Sequence, residues 1–395
     1  MDRRRNHDDR IRVAFPFAGS LIGGSHFSSL GLVKHLDASR FDPFVIVDRM
    51  DNPIADLFRD LGVPMAAAPR PIALHHGKHV SLRNLVSSGL AVPILSKFLH
   101  RHGIGLVHVN DGRTAAIWAL PARLAGAKLV WHHRSGPGAW GLRFASPLLA
   151  NAVISVSDFA RGRVARSAHK SHVIHSPFDT QIRVDRRHMR DMLLTEINHG
   201  PSTRVVGFFG AMIARKRPLL FVEAIAALRR QHPGLPVAGA IFGEAVEIPV
   251  EDVTALAERL GVADAIHVMG FRSPGANWIA ACDLLAIPAV EEPFGRTLVE
   301  AMIVGTPVVA SRSGGNADAL EGGRLGRLVQ VDDADALAAG MAEALTCADV
   351  TDEMIVAARA AVHDRFGEHR HAEQVMSVYH DLFPAARPLS RPLRT

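Results

Sequence analysis

Residues 291–315 read EEPFGRTLVEAMIVGTPVVASRSGG. A short β-rich run, LLAI (284–287), stands just before them, and a second, PVVA (307–310), lies inside them. Between the two runs, Pro293 and Gly295 favour a turn. A helix is expected from about Gly295 or Arg296 to Gly305, with Pro307 just beyond as a stop signal. Strand, glycine-containing loop, helix and strand make the repeating unit of a parallel α/β sheet. LVEAMIV (298–304) is apolar on almost every side, which predicts a buried helix. Yet it carries Glu300, eight positions after Glu292. A buried carboxylate is costly unless it is paired or hydrogen-bonded. Two readings stand: an i,i+4 ion pair with Arg296 at the helix rim, or a contact to ligand hydroxyls in a cleft.

The same unit recurs in both halves of the chain ahead of this stretch. In the second half, RVVGFF (204–209) leads through GAMIARKRP into the helical LLFVEAIAALRR, followed by VAGAIF (237–242) and AIHVM (265–269). In the first half, IRVAF (11–15) leads through PFAGSLIGGS into HFSSLGLVKHL. PFVIV (43–47), GLVHV (105–109), KLVW (128–131) and AVISV (152–156) follow. The chain has 395 residues, too many for one core of common size. The expected fold class is therefore α/β, with two doubly wound domains facing a cleft. The polar, strand-free stretch around 180–203 marks the join. The expected organisation is a tail (1–10), a first domain (11–185), a second domain (186–367), a helix (368–384) packing back toward the first domain, and a Pro-rich basic tail (385–395). In such sheets ligands bind beyond the carboxyl ends of the strands.

The formal net charge is +6, and the excess is nearly all arginine: 39 Arg against six Lys. This favours anionic partners, such as phosphorylated substrates or a lipid surface. Nucleic acid is not an expected partner, because the arginines are scattered and only one Tyr is present. Cys282 and Cys347 are too few for a disulfide framework or a zinc site. No apolar run reaches the roughly 18 residues that span a bilayer, and MDRRRNHDDR has no apolar core of a secretory signal. The expected location is cytoplasmic, with peripheral contact at the inner face of a membrane left open.

Several other clusters have ordinary explanations. Asp332, Asp333 and Asp335 resemble a metal cluster but read as the cap and first turn of ALAAGMAEAL. His75, His76 and His79 have metal-ligand spacing on a helix, but with no Cys or carboxylate beside them they read as a polar loop. SLRNLVSSGLAVPILSKFLHRH (81–102) reads as a surface helix packed on the first sheet, with approach to a membrane as the alternative. Gly314 and Gly315 would let backbone approach a phosphate, or simply make a tight turn.

EPFGRTLVE, followed by AMIVGTPVVA and SGGNAD, resembles the donor-site signature of the retaining GT-B glycosyltransferases of family GT4, glycosyl transferase group 1. Gly210 to Lys216 (G-x5-K), IFGE (241–244), MGF (269–271) and GRLV (326–329) fit the same pattern. In the first half so do GGS (23–25), WHHR (131–134), SVSD (155–158) and VIHSPFD (173–179). The resemblance covers nearly the whole ordered chain and implies two Rossmann-like domains.

It also implies transfer of a sugar from a nucleotide-diphosphate donor to an acceptor hydroxyl with retained configuration, in polysaccharide, glycolipid or other glycoconjugate synthesis. No bound metal or other cofactor is expected. By resemblance, Glu300 would hold ribose hydroxyls and Glu292 would contact the donor sugar. Backbone N–H groups of Phe294, Gly295, Arg296 and Thr297 would bind sugar and phosphate, and Lys216 would neutralise the leaving diphosphate. Gly24, Gly210 and Gly315 would border the donor. The family pattern puts His133 at the expected active-site histidine, a related W-H-x-R variant favours His132, and since side chains alternate along a strand only one of the two faces the cleft. Asp318 falls where the family often has Glu; its ordinary reading is a helix-start residue. The chain departs from the family at Ala211, where Arg is usual; Arg215 and Arg217 are nearby, at non-matching positions. Alternatives are a sugar-nucleotide epimerase of the same architecture and a non-catalytic sugar-nucleotide-binding subunit.

Overall fold

A computed structural model describes residues 10–20, 22–70, 82–138, 146–166 and 171–384. Among them lie two all-parallel sheets. The first is built from β1 (Ile11–Pro16), β2 (Phe41–Val47), β3 (Met65–Ala67), β4 (Ile104–Val109), β5 (Lys128–His133), β6 (Ala152–Ser155) and β7 (Ser171–Val173), in the order β3-β2-β1-β4-β5-β6-β7. The second is built from β8 (Arg204–Phe209), β9 (Val237–Phe242), β10 (Ile266–Gly270), β11 (Leu284–Ile287), β12 (Val308–Ser311) and β13 (Arg327–Val329), in the order β10-β9-β8-β11-β12-β13. Helices cover both faces of each sheet. Strands such as VAGAIF and LLAI are therefore apolar without alternation and buried throughout.

In each sheet the strand order reverses beside the first strand, between β1 and β4 and between β8 and β11. Connections leave in opposite directions there and open a crevice beyond the strand ends. The two crevices face each other, and the cleft lies between them.

The helix Arg296–Val304 lies between left-handed Gly295 and Gly305, which set its two ends. Leu298, Val299 and Met302 pack into a core with Ala358, Val362 and Phe366 of the helix Ala348–Phe366. The chain then turns at Gly367 into the helix Glu368–Leu382. That last helix buries Ala372, Val375, Val378 and Tyr379 against Val13, Phe15 and Phe41 of the first domain. The two chain crossings run side by side, with Phe178 N–H donating to Phe366 O at 2.8 Å.

Some elements went beyond the sequence expectation. β3, β7 and β13 are three residues each, too short to show a pattern. The polar stretch 180–203 carries a helix, Arg186–Glu196, capped by Asp185. Its Leu193 and Leu194, with Ile197 just beyond, bury against Val205 and Ala238. So few apolar residues dock it that its composition resembles a linker. β5 runs two residues past KLVW, through both histidines. Leu82–Arg101 is a helix packed on the first sheet through Ala91, Leu95 and Leu99. Asp333 caps the helix Ala334–Thr346, while Asp332 pairs with Arg217 and Asp335 with Arg230. His75, His76 and His79 lie outside the described residues. No helix of the described residues is long and apolar enough to cross a membrane.

Candidate active site

The facing crevices enclose a cleft of about 430 Å³. Its second-domain wall is built by the loops after β8 and β11. Gly210 follows β8 at φ 151° and leads toward the single turn Ala214–Lys216. A side chain on Gly243 would strike Gly210 O, so the neighbouring loop is glycine as well. The turn presents Arg215 and Lys216 to Glu292, which is 8% exposed. Arg215 Nη1 and Lys216 Nζ both donate to the same oxygen, Oε2, at 2.7 and 2.6 Å. Burial alone would raise the Glu292 pKa, but the two cations outweigh it and hold the carboxyl below its ordinary value.

Beyond Glu292 the helix Arg296–Val304 begins at the cleft. Leu298 and Val299 N–H groups close onto Gly295 O. Those of Arg296 and Thr297, in the first turn, have no carbonyl of the helix to meet. Together with the helix dipole they form an anion-binding end beside Lys216.

The first-domain wall comes from the loops after β1, β4 and β5. Gly24 starts the helix Gly24–Lys34 and passes so close to Arg296 that a Cβ on it would sit 2.5 Å from Arg296 Cδ. Arg296 reaches across this gap: its Nη1 donates to Ser28 Oγ at 3.1 Å, and its guanidinium lies 4.2 Å from the Phe178 ring centre. Asp111 caps the helix Gly112–Leu124 and brings Arg113 to the wall. Arg134 follows β5 directly. It donates to Ser176 Oγ (3.1 Å), Asn110 Oδ1 (3.3 Å) and His132 Nδ1 (3.3 Å). Burial, with Arg296 nearby, pushes Arg134 down to about 9.

Behind Arg134 lies a buried histidine chain. Arg134 is donor only, so His132 Nδ1 must accept. His108 Nε2 therefore donates to it at 3.3 Å, and Tyr379 Oη donates to His108 Nδ1 at 2.5 Å. His371 stacks on His132 with ring centres 5.6 Å apart, and its Nδ1 donates to His175 O at 2.7 Å. Burial pushes His108 and His132 well below the usual histidine range and His371 down to about 3. Burial also holds His175 at about 4.

The structure brings together Gly24, Gly210, Lys216, Glu292, Phe294, Gly295, Arg296 and Thr297 on one cleft. Two expected site residues, His133 and Gly315, stand elsewhere. His133 does not line the cleft: its Nε2 bonds Gly136 O at 3.1 Å and its ring packs edge-on to Trp131. His132 points to the opposite face of the strand, so alternation buries both rings, and the residue that emerges is Arg134. Gly315 does not line the cleft either. Its N–H is taken by Glu292 O at 2.7 Å, and side chains on Gly314 or Gly315 would strike the Glu291–Phe294 backbone. The glycine pair thus lets two protein loops meet. Arg217 turns away to Asp332, whereas Arg215 stands on the wall that Ala211 leaves without its usual arginine.

Glu300 lies a turn beyond the cleft lining, its Oε2 3.7 Å from where a Cβ on Gly275 would be. Its Oε1 is 3.9 Å from Arg296 Nη2, so the i,i+4 pair exists only at the edge of ion-pair range. Burial raises its pKa and Arg296 only partly opposes this. Asp318 opens a four-residue helix and also accepts the Asp158 N–H at 2.9 Å, which ties the two domains together. Ser157 Oγ adds a second tie to Pro293 O at 2.5 Å. A cavity of about 470 Å³ on the far side of the crossing has its Glu368 already engaged, 3.8 Å from Lys34 and 3.7 Å from His35.

Sequence reasoning missed Arg134 and the pairing of Lys216 with Glu292. The first was legible in principle, as the residue just past a strand end, but WHHR drew attention to its histidines.

Residues 203–347 match the family model described as glycosyl transferases group 1. Similar proteins include D-inositol 3-phosphate glycosyltransferases of Corynebacterium urealyticum (32% identical, over 48% of this chain and 46% of the relative) and Actinosynnema mirum (34% identical, over 44% and 48%). The chain thus spans about half the length of the curated relatives it matches. Among solved structures, Anabaena HepE in complex with UDP-glucose superimposes with TM-score 0.77 at 22% identity, covering 94% of this chain and 100% of that one. Sucrose-phosphate synthase from Thermosynechococcus elongatus gives 0.69 at 18% identity, covering 95% and 100%. At these identities the likeness establishes the fold. Residues 203–347 thus carry the match to a group 1 glycosyltransferase domain, and the chain as a whole has the two-sheet GT-B fold.

Proposed function

We propose that the protein transfers a glycosyl group from a nucleotide-diphosphate sugar to an acceptor hydroxyl, with retention of anomeric configuration. The observation that carries this reading is the second wall. Two cations and a helix N-terminus converge where a diphosphate would leave, and a buried carboxylate stands beside them. Charge that develops on a leaving phosphate is best stabilised by preorganised donors of this kind. Lys216 and Arg215 would exchange Glu292 for phosphate oxygens when the donor binds. Glu292 would then be released toward the sugar, and Glu300 would accept hydrogen bonds from the nucleotide's ribose.

A glycosidase scheme fits poorly, since it needs one carboxyl kept protonated as an acid beside a second that attacks or activates water. Glu292 is held ionised, and Glu300 lies off the cleft lining. Retention through front-face substitution, with the leaving phosphate accepting the acceptor proton, asks for no side-chain nucleophile. The related D-inositol 3-phosphate glycosyltransferases and the UDP-glucose-bound HepE support a nucleotide-sugar donor. No metal is invoked: Lys216, Arg215 and the helix end supply the positive charge. Cytoplasmic location, with peripheral contact at the inner membrane face, belongs to the same proposal.

The test is incubation with UDP-, GDP- and ADP-sugars and a panel of hydroxyl acceptors. Release of nucleoside diphosphate with an α-linked product from an α-linked donor is expected. Epimerised donor, or binding without turnover, would sink the transferase reading.

A further inference from the structure

Five cations line the cleft, Arg113, Arg134, Arg215, Lys216 and Arg296, against two carboxylates, Asp111 and Glu292. The surplus is not spread evenly. On the second wall, Glu292 already bridges two cations. On the first wall, Arg134 has only neutral partners, with no carboxylate of the described residues in ion-pair range. Its Nε is buried without a hydrogen-bond partner, and so is that of Arg113. Arg113 has Asp111 Oδ2 at 3.9 Å from its Nη2 and Asp48 within reach of its charge, so Arg134 is the cation left without a counter-ion.

A buried cation without a counter-ion is costly in a folded protein. Recognition of a neutral hydroxyl needs no such group. A guanidinium with free donors at a cleft edge matches an oxyanion in charge and in geometry.

We propose that the first wall is an oxyanion subsite for the acceptor. The acceptor then carries a phosphate or carboxylate, held by Arg134 with Arg113 beside it, as well as the hydroxyl that receives the sugar. The inference rests on the transfer reading and deepens it by naming the acceptor class. Ser176 and Asn110 hold the guanidinium in place, and the His132–His108–Tyr379 chain fixes it from behind without adding charge.

The test separates the two walls. Isothermal titration first establishes which of UDP, GDP or ADP binds. Inorganic phosphate, and acetate in a parallel arm, are then titrated into the protein saturated with that nucleotide. Phosphate or acetate should bind this complex, and the arm that binds more tightly names the anion. Arg134→Gln should weaken it by about tenfold or more, the scale of a lost charge-assisted pair. Arg134→Lys should recover part of the loss, and nucleotide affinity should stay within about threefold in both. Arg113→Gln gives a second variant should Arg134→Gln melt early by circular dichroism.

In turnover, glucose 6-phosphate and gluconate should each be used at higher kcat/KM than glucose. The inference is overturned if neither anion binds the nucleotide complex, if Arg134→Gln leaves anion binding unchanged, or if it weakens the nucleotide equally. Equal use of charged and neutral acceptors also overturns it. Failure of all three nucleotides to bind the wild type overturns the transfer reading itself, a result distinct from these.

Discussion

On the second wall of the cleft, Arg215 and Lys216 share one carboxylate oxygen of Glu292. On the first, Arg134 leans on a serine, an asparagine and a histidine, all neutral. Both walls hold cations at the ends of parallel strands, but one carries its counter-charge with it and the other does not. A wall that neutralises itself can hold its cations ready for a ligand that comes and goes. A wall without a counter-ion keeps its cation only because neutral dipoles fix it, and its charge is satisfied when an anion arrives. The difference also sets how each half responds to acid.

Acid should separate the walls most. His108, His132 and His371 are buried and His175 is partly buried in the first-domain half, and desolvation depresses the pKa of each. For a depressed histidine, stability is fully present above the unfolded value near 6.5. It is lost as pH falls, because only the unfolded chain takes up the proton. The loss is about 1.4 kcal/mol per pH unit for each group, or about 5.6 kcal/mol per unit for four, as an upper bound. It continues to about 4 for His175 and about 3 for His371. Glu292 is a depressed carboxyl, so its contribution holds above about 4.5 and fades only below. In the second domain, half-buried His267 adds a shallow slope of the histidine kind.

Urea midpoints measured between pH 7 and 5 should therefore fall steeply when read by the Trp278→Phe chain, whose remaining tryptophans lie in the first half. They should fall gently in a chain keeping only Trp278. Coincident midpoints at every pH would break the contrast. His371→Phe should flatten the steep slope by about one proton.

The asymmetry between the walls also explains what the sequence disclosed. The second wall was nearly all readable, because strand, loop and helix are consecutive there and Glu292 to Glu300 is one local unit. Gly295 and Gly305 marked the helix ends in the sequence itself. The first wall was not readable, because its members come from three separate strand ends. Asn110, Arg134 and Ser176 meet only once the sheet is assembled, and His108 finds Tyr379 only when the last helix returns. Even on the second wall, the pairing of Lys216 with Glu292 spans two loops and left no local trace. The glycine pair 314–315 misled for a related reason: a glycine needed for close approach does not reveal what approaches.

Lys216→Ala should be the next largest effect, now on chemistry rather than stability. Removing one preorganised charge from the leaving diphosphate is expected to lower kcat about 10²–10³-fold. Arg215 still pairs with Glu292, so the fold should hold with a small change in Tm. KM for the acceptor should stay within a few-fold, the reverse of the pattern expected for Arg134→Gln. If Lys216→Ala changed acceptor KM and spared kcat, the division of labour between the walls would be wrong.

The smallest effect tests Glu300, an expected site carboxylate that stands on neither wall. Its folded pKa is raised by burial and its pair with Arg296 is loose, so at neutral pH its charge is a cost to the native state. The unfolded chain loses this proton at lower pH than the folded chain. As pH rises through the ordinary carboxyl value, stability is therefore lost, not gained. Glu300→Gln removes the charge and keeps the shape. Its Tm at pH 7 should match or exceed the wild type, and the advantage should shrink as pH falls toward about 4.5. Nucleoside diphosphate affinity should nevertheless drop about tenfold, because an amide is a weaker acceptor for ribose hydroxyls than a carboxylate. Thermal melts and titration calorimetry on one variant read the two consequences separately. A lower Tm with unchanged affinity would make Glu300 the partner of Arg296 and nothing more. A stable protein that binds nucleotide poorly is the signature of a carboxylate kept for the ligand.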